Sequence, residues 1–456
     1  MSRPRRALST ALSRRSLLAL GGAGLGAALL GACGPSVGGP TGADPAAATD
    51  WAKVKPADKI IFMTTFTANE VEKAFVQEFS KESGITVEHV SGGGSYEDMA
   101  QAFRASAGTS EQPDVAMGSD VFWFQYLMTG NIIALDGLLE HLNVDTNDFQ
   151  GALYGDYTYG GQHYAVPYGR STPMFYYNKD VWEKAGLPDR GPKTWTEFTE
   201  WAPQLRTVLP KEGAPLGWDK PAPSGTAWVA QNMLWSFGAN YSQEWKWTLD
   251  TPEAIKVGNL YRDSLNGADK WAKIATNGAN EFTAGQYGAI VGSTGGIVTY
   301  RQQLPSLGVA FMPGGTIADD APRVPTGGNG LTVSAPTPER QLAAGMLLEF
   351  LTRPENSARW ALATGYMPTR KAALETERMK AGIAEVPDRQ LPIDQLAITK
   401  VQDYARALLP GGDLLITEHW ERIMLSGENP EDVFPQLTAE FDRAYKQSVE
   451  PNLGNI

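Results

Sequence analysis

The sequence predicts an α/β protein of two lobes, and three observations carry that reading. A chain of 456 residues exceeds what one hydrophobic core organises, so two domains are expected. Lys59 to Thr64 and Ile85 to Val90 read as strands, and Asn69 to Ser83 between them reads as a helix. A strand, a helix and a strand in that order make a βαβ unit with a parallel pair. The third observation is the stretch from Gln162 to Pro192. Two strand-like runs, His163–Pro167 and Met174–Tyr177, flank the polar segment Gly169-Arg170-Ser171-Thr172-Pro173, and a short helix from Lys179 to Ala185 follows, closed by Gly186 and Pro188. Such a segment is either a passage between lobes, with a hydroxyl at the floor of a cleft, or a loop between two core strands of one domain.

The N-terminus reads as an export address. Arg3, Arg5 and Arg6 lead, Arg14-Arg15 follow, and a Gly/Ala/Leu run ends in Leu30-Gly31-Ala32-Cys33. The paired arginines resemble a twin-arginine signal. Leu-Gly-Ala-Cys resembles the lipobox of bacterial lipoproteins, which implies lipidation of Cys33, the only cysteine. A transmembrane anchor is the alternative, but the apolar run is short and Gly-rich for a span. Residues 1–33 are therefore expected to be a signal with lipobox, and 34–56 a flexible tether rich in Gly, Pro and Ala. The body is expected outside the cytoplasm, on the outer face of the membrane.

The body then runs in order. In the first helix Val71, Phe75 and Phe79 share a face, and Gly84 stands where a C-cap belongs. Gly92-Gly93-Gly94 is a loop, and Ser95 with Asp98 opens a helix to about Ser106. Pro113 to Met117 is a third strand with Asp120 beyond its carboxyl end, and Val121 to Met128 is an aromatic helix. Thr194 and Glu197 form a capping box, with Trp195 and Trp201 on the core face of the helix they open. Trp228 either packs in the core or lines a cleft. Tyr287 to Ile290 enters a strand, Ser293-Thr294-Gly295-Gly296 opens a helix, and Gly308 to Met312 is a strand. Thr326 to Val333 holds a glycine-rich loop and a strand. Arg340 to Leu351 is a helix, Pro354 starts the next, and the tail from Ile398 to Tyr445 is mostly helical.

Composition excludes several classes. A net charge of −12 disfavours nucleic acid as a partner. One cysteine and four scattered histidines offer no metal-ligand spacing, so neither metal nor cofactor is expected. No nucleophile elbow and no P-loop is present. A glycosidase is not refuted, since acidic pairs abound in an acidic chain. What remains are neutral donors, aromatics and single charges at the strand ends of an α/β protein, where ligands bind. Tyr96, Asp120, Ser171, Ser293 and Gly327-Gly328 are the candidates.

Several ordered segments carry a resemblance: VPYGRSTPMFYYNKD at 166–180, AGLPDRGP at 185–192, STGG at 293–296, PTGGNGL at 325–331, TGYMPTRKAA at 364–373 and QDYARALLPGGD at 402–413. Over nearly its whole mature length the chain resembles the extracellular solute-binding proteins of ABC importers. Among them it resembles the binders of sn-glycerol-3-phosphate and glycerophosphodiesters, glycerophosphocholine included, and most closely the mycobacterial lipoprotein type. The resemblance implies a periplasmic-binding-protein fold, a hinged trap with a ligand cleft between lobes. The expected borders are 57–168 plus about 295–350 for lobe 1, and 172–291 plus about 354–450 for lobe 2.

Residue by residue, the resemblance implies a ligand site of Tyr96, Asp120, Ser171, Trp228, Ser293, Gly328, Tyr366 and Arg406. Arg406 is expected to fork onto two phosphate oxygens, so Arg406→Ala should abolish binding and leave the fold intact. Asp120 and Tyr96 suit glycerol hydroxyls, and Trp228 and Tyr366 suit a trimethylammonium group. Enteric glycerol-3-phosphate binders carry a further tryptophan where Gly225-Thr226 stand here, which implies a wider pocket and a diester ligand. The implied partners are the small ligand, the membrane permease subunits of the importer and, through the lipid, the membrane; a monomer is expected. The alternative is an oligosaccharide binder of the same fold.

Overall fold

The computed structural model describes residues 49–456. The expected signal, the lipobox at Cys33 and most of the tether lie outside the described residues. Among the described residues no helix is long and apolar enough to cross a membrane.

Local signals in the sequence set the first elements. β1 (Lys59–Thr64) leads to the helix Glu70–Ser83, and β2 (Thr86–Ser91) returns parallel to β1. The Asn69 side chain accepts from the N–H groups of Val71 and Glu72, and Gly84 ends the helix at a φ of 76°. Ser95 caps the helix Tyr96–Ser106 by accepting from Asp98 N–H. β3 (Val115–Ser119) pairs parallel with β1. A small hairpin of β4 (Thr158–Tyr159) and β5 (Gln162–His163) precedes the expected passage.

That passage is real but shorter than its polar composition suggests. β6 (Val166–Ser171) and β7 (Pro173–Asn178) are both fully buried strands, with Thr172 alone between them. They belong to different sheets. The first sheet has the order β2-β1-β3-β15-β6. The second is built on β7 with β8 (Ala214–Asp219), and its order is β11-β8-β12-β7-β13. Its other strands follow a hairpin of β9 (Ser242–Gln243) and β10 (Lys246–Trp247): β11 (Ala272–Ala275), β12 (Tyr287–Ser293) and β13 (Leu307–Ala310). β8 lies parallel to β11 and β12, while β7 lies antiparallel to β12 and β13.

The sheet pairing corrects two expected borders. β13 joins the second sheet through β7, and Ile297 and Leu304 pack with Met174, Tyr176 and Ile290. The chain therefore goes back to the first sheet between β13 and β15 (Gly327–Val333), not near residue 295. The helix Pro354–Thr364 also stays with the first sheet. Its Trp360 stacks on Tyr168 at 4.7 Å and meets Phe66 at 5.2 Å and Phe75 at 6.4 Å. The third passage comes later, where β14 (Val324–Pro325) pairs parallel with β16 (Thr399–Lys400). Beyond it the helices Gly412–Ser426 and Pro430–Ala444 pack against Pro252–Asn266 on the second side.

Trp195 is fully buried, as expected of a core tryptophan. Trp201 is not: it is partly exposed, with the Arg190 guanidinium 4.9 Å over its ring. The capping box is also half formed. Thr194 accepts from Glu197 N–H, but the Glu197 carboxylate turns to Arg190, at 2.6 Å, and to Lys193 N–H.

Candidate functional site

Between the two sheets lies a cavity of about 220 Å³. Its wall holds all eight residues named above: Tyr96, Asp120, Ser171, Trp228, Ser293, Gly328, Tyr366 and Arg406. Ser224 and Gly327 complete it. The residues come from elements far apart in sequence. Tyr96 opens its helix, Asp120 follows β3, Ser171 ends β6, Ser293 ends β12 and Gly328 sits in β15. Trp228 is buried as well as cavity-lining, because its indole N–H donates to Thr326 C=O at 2.8 Å.

Gly328 has a strict structural reason. Its φ is +100°, and a Cβ there would stand 2.1 Å from the Gly169 carbonyl oxygen. The register between β15 and β6 shifts just past it, between Gly328 and Gly330. The bulge turns its C=O to accept from Asp120 N–H at 2.9 Å, which fixes the aspartate at the cavity.

Arg406 departs from the expectation of a free fork. It is buried, and its Nη1 donates to Asp120 Oδ2 at 2.9 Å while its Nε stands 2.9 Å from Asp413 Oδ1. Nη1 also donates to the Gln402 side-chain carbonyl. Nε approaches Asp413 without forming a hydrogen bond, and Nη2 has no partner among the described residues, so Nη1 is spent inside the protein and the fork is not free as a whole. Burial opposes the charge on Arg406, but Asp120 and Asp413 outweigh it and hold its pKa above the ordinary value. The Asp413 pKa is also raised, but by burial and against its own charge, with Arg406 pulling it back.

A second buried pair sits beside the first. Arg170, from the segment read as a polar passage, is fully buried and donates to Tyr157 Oη at 2.8 Å and to Asp156. Asp156 also accepts from Thr326 Oγ1 and, at 3.0 Å, from Gln402 N–H. Gln402 Nε2 donates to Asp120 Oδ2 at 2.7 Å and to Asp156 Oδ2 at 3.3 Å, joining the two pairs into one network. Two guanidinium groups thus face three carboxylates. Both bonds that Asp120 accepts fall on Oδ2, which leaves Oδ1 for a ligand hydroxyl.

The remaining polar groups are neutral. Tyr96 Oη accepts from Asn329 Nδ2 at 3.2 Å, and burial holds the phenols of Tyr96 and Tyr366 above their ordinary pKa. Ser293 Oγ accepts from Gly295 N–H at 3.2 Å and caps the short turn Thr294–Gly296. The Gly295 N–H at the start of that turn is therefore taken by the serine itself. The wall also carries a contact across the cleft: Ser224 Oγ donates to Glu97 Oε1 at 3.0 Å, and Ser224 N–H donates to Asp413 Oδ2 at 2.6 Å.

Sequence reasoning did not single out Ser224, Asp413, Gln402 or Asp156. Ser224 stands in the turn Pro221-Ala222-Pro223-Ser224-Gly225 with a φ of 62°, and Pro and Gly around a serine are its one signal. Nothing in the spacing of the other three announces a shared network.

Comparison with known proteins gives this geometry a context. A family model described as bacterial extracellular solute-binding protein matches residues 74–386. The chain is similar to the sn-glycerol-3-phosphate-binding periplasmic protein UgpB of Salmonella typhimurium, with 26% identity over 330 residues, 67% of this chain and 74% of that one. The UgpB of Escherichia coli strain K12 matches to the same extent. Among solved structures, UgpB from Mycobacterium tuberculosis in complex with glycerophosphocholine superposes with a TM-score of 0.80 and 36% identity, covering 86% of this chain and 100% of that one. The acarbose-binding GacH receptor of Streptomyces glaucescens has a TM-score of 0.70 at 20% identity over 85% of this chain and 98% of its own, which shows the two-domain fold alone.

Proposed function

The chain belongs to the bacterial extracellular solute-binding proteins, and from that membership we propose that it captures glycerophosphodiesters, glycerophosphocholine first among them, for an ABC importer. It is a binding protein and not an enzyme. One observation carries the ligand reading. The eight residues picked from sequence meet in a single cavity between the two sheets, in a chain 36% identical to a UgpB crystallised with glycerophosphocholine.

In this reading the phosphate is held mainly by neutral donors: the hydroxyls of Ser171, Ser293, Tyr96 and Tyr366, with Arg406 Nη2 adding one charged bond. Asp120 Oδ1 takes a glycerol hydroxyl. Trp228, at the edge of the cavity, supplies aromatic surface for an alkylammonium group, worth about 0.5–2 kcal/mol for such a contact. Gly225 and Thr226 leave room beside Trp228. The lobes close over the ligand, and the Ser224–Glu97 bond ties the closed form at its rim.

We further propose that the protein is a monomeric lipoprotein, held through Cys33 on the outer face of the membrane near its permease. The lipobox-like Leu30-Gly31-Ala32-Cys33 and the tether behind it support this.

Titration calorimetry of the purified protein with glycerophosphocholine, glycerol-3-phosphate and maltose tests the reading. Saturable one-to-one binding of the phosphodiester is expected, with maltose silent. Tight maltose binding with no response to either phosphate would replace it with the oligosaccharide reading.

A further inference from the structure

We propose that a second chamber, built wholly from the second-sheet side, receives the head group of the phosphodiester, and that Asp219 at its edge selects a cationic one. The proposal rests on the phosphodiester reading above and adds to it a place and a charge preference.

The chamber has a volume of about 220 Å³, as large as the cavity between the sheets. It lies at the carboxyl ends of the parallel strands β8 and β12, where an α/β sheet presents its ligand crevice. Ser224, Trp228 and Ser293 line both spaces, so a ligand seated in one has a direct neighbour in the other.

Its walls decide the chemistry. Trp218 and Tyr261 stack with centroids 4.8 Å apart, and Val291 and Met424 extend the apolar surface. The indole N–H groups are already engaged, Trp218 with Ser264 Oγ at 3.1 Å and Trp228 with Thr326 C=O at 2.8 Å. The chamber therefore offers rings and hydrocarbon, and very few hydrogen-bond partners. A polyhydroxylated head group such as inositol would leave most of its hydroxyls unmatched there, each at a desolvation cost. A methylated ammonium has no N–H to satisfy and gains from aromatic surface.

Two polar groups remain unused. The Tyr261 hydroxyl is buried, with the residue only 2% exposed, and has no hydrogen-bond partner. Asp219 lies exposed at the chamber's rim, where its carboxylate has neither hydrogen bond nor ion pair among the described residues and Glu281 adds a second negative charge. The place of Asp219 is made by Gly278, where a Cβ would come within 2.1 Å of Asp219 Oδ1. Lys220 also borders the chamber but lies exposed on its outer side. An unpaired carboxylate beside stacked rings is the pairing that recognises a soft cation.

The test uses the mature protein and two variants, Asp219→Asn and Val229→Trp. Asp219→Asn is nearly isosteric and removes only charge. Val229 lines the chamber and not the first cavity, so a tryptophan there fills the proposed head-group space. Glycerophosphocholine, glycerophosphoinositol and glycerol-3-phosphate are titrated into each. Asp219→Asn is expected to weaken glycerophosphocholine by about tenfold and leave glycerol-3-phosphate within about threefold. Val229→Trp is expected to weaken the choline diester by about thirtyfold with the same sparing of glycerol-3-phosphate. If the unaltered protein binds no phosphate ligand at all, the phosphodiester reading falls and the chamber with it. If it binds all three and both variants keep the wild-type order and affinities, or lose all three alike, the chamber assignment alone is overturned.

Discussion

Replacing Arg406 by alanine should cost the fold as well as the ligand. The guanidinium stands between Asp120 and Asp413, 2.9 Å from each, and all three side chains are buried. Removing it strands two carboxylates that have already given up their hydration. Breaking one buried pair by deleting a partner costs about 3–5 kcal/mol, most of it the penalty of the charge left behind. A domain of ordinary stability has about 5–15 kcal/mol in total, so Arg406→Ala should remove about a fifth or more of it. Urea unfolding followed by tryptophan fluorescence at pH 7, without ligand, measures this directly. Adding Asp413→Asn should return about half of the loss: it neutralises one stranded charge, and the asparagine carbonyl still accepts from Ser224 N–H. The deficit should also shrink on acidification, since burial already raises the Asp413 pKa and the missing arginine raises it further. A single variant within about 1 kcal/mol of wild type at pH 7, or a double variant no better than the single, would refute the reasoning. Either result would mean that the guanidinium is there for the ligand and that water reaches the carboxylates.

Four further outcomes are expected. Gly328→Ala should lose about 1–3 kcal/mol from its φ of +100° alone, and more from the clash with Gly169, with ligand binding lost in calorimetry. Glu97→Ala should leave stability within about 1 kcal/mol but speed ligand release by up to about fivefold in stopped flow, since it removes the bond to Ser224 across the cleft. Burial pushes the Asp403 carboxyl up to about 6, against the pull of Tyr241 N–H and Lys400; the folded state therefore holds that proton more tightly than the unfolded chain, and the contribution, about 3 kcal/mol, is full below about pH 4 and lost as pH rises through 6, so Asp403→Asn should flatten the stability profile across that window. Cys33→Ser should move the protein from the membrane fraction into the soluble extracytoplasmic fraction, as an immunoblot would show, if lipid holds it there.

The elements most legible in the sequence are those whose signals are local. Asn69, Ser95 and Thr194 each cap the helix they announce, and Gly84 ends one with the positive φ its position suggested. The borders at 295 and 354 were illegible for the opposite reason. β13 joins the second sheet by pairing with β7, about 130 residues earlier, and no local pattern distinguishes that partner from β15. The helix Pro354–Thr364 is held by Trp360 against Tyr168 and Phe75, again contacts of long range. In the site, ordered motifs matched to a family found the residues that line the cavity. They did not find the groups that hold those residues. Asp413 and Gln402 flank Arg406 in the motif QDYARALLPGGD, yet only the fold shows that both are spent on the arginine. Arg170 looked like a polar passage because charge in sequence reads as exposure, whereas here Asp156 and Tyr157 bury it.

This arrangement bears on how such a site can hold an anion and still let it go. Two arginines facing three carboxylates leave no surplus positive charge for a phosphate. A phosphodiester placed there is bound chiefly by hydroxyls and one guanidinium nitrogen, bonds of about 0.5–3 kcal/mol each. A lone buried arginine would grip the anion harder and would destabilise the empty form by its own desolvation. Pairing Arg406 with Asp120 from the first sheet and Asp413 from the second side eases both problems, because Asp413 stays beside the arginine when the ligand leaves. The same pairing spans the cleft, so opening the lobes must part Asp120 from Arg406. Release then depends on pulling apart one ion pair and a few neutral hydrogen bonds, a load that a closing permease surface of ordinary size can supply. An added negative charge also favours protonation of Asp413, whose pKa burial has already raised. Capture should therefore take up protons and tighten as pH falls, a coupling that a surplus-positive site would not show.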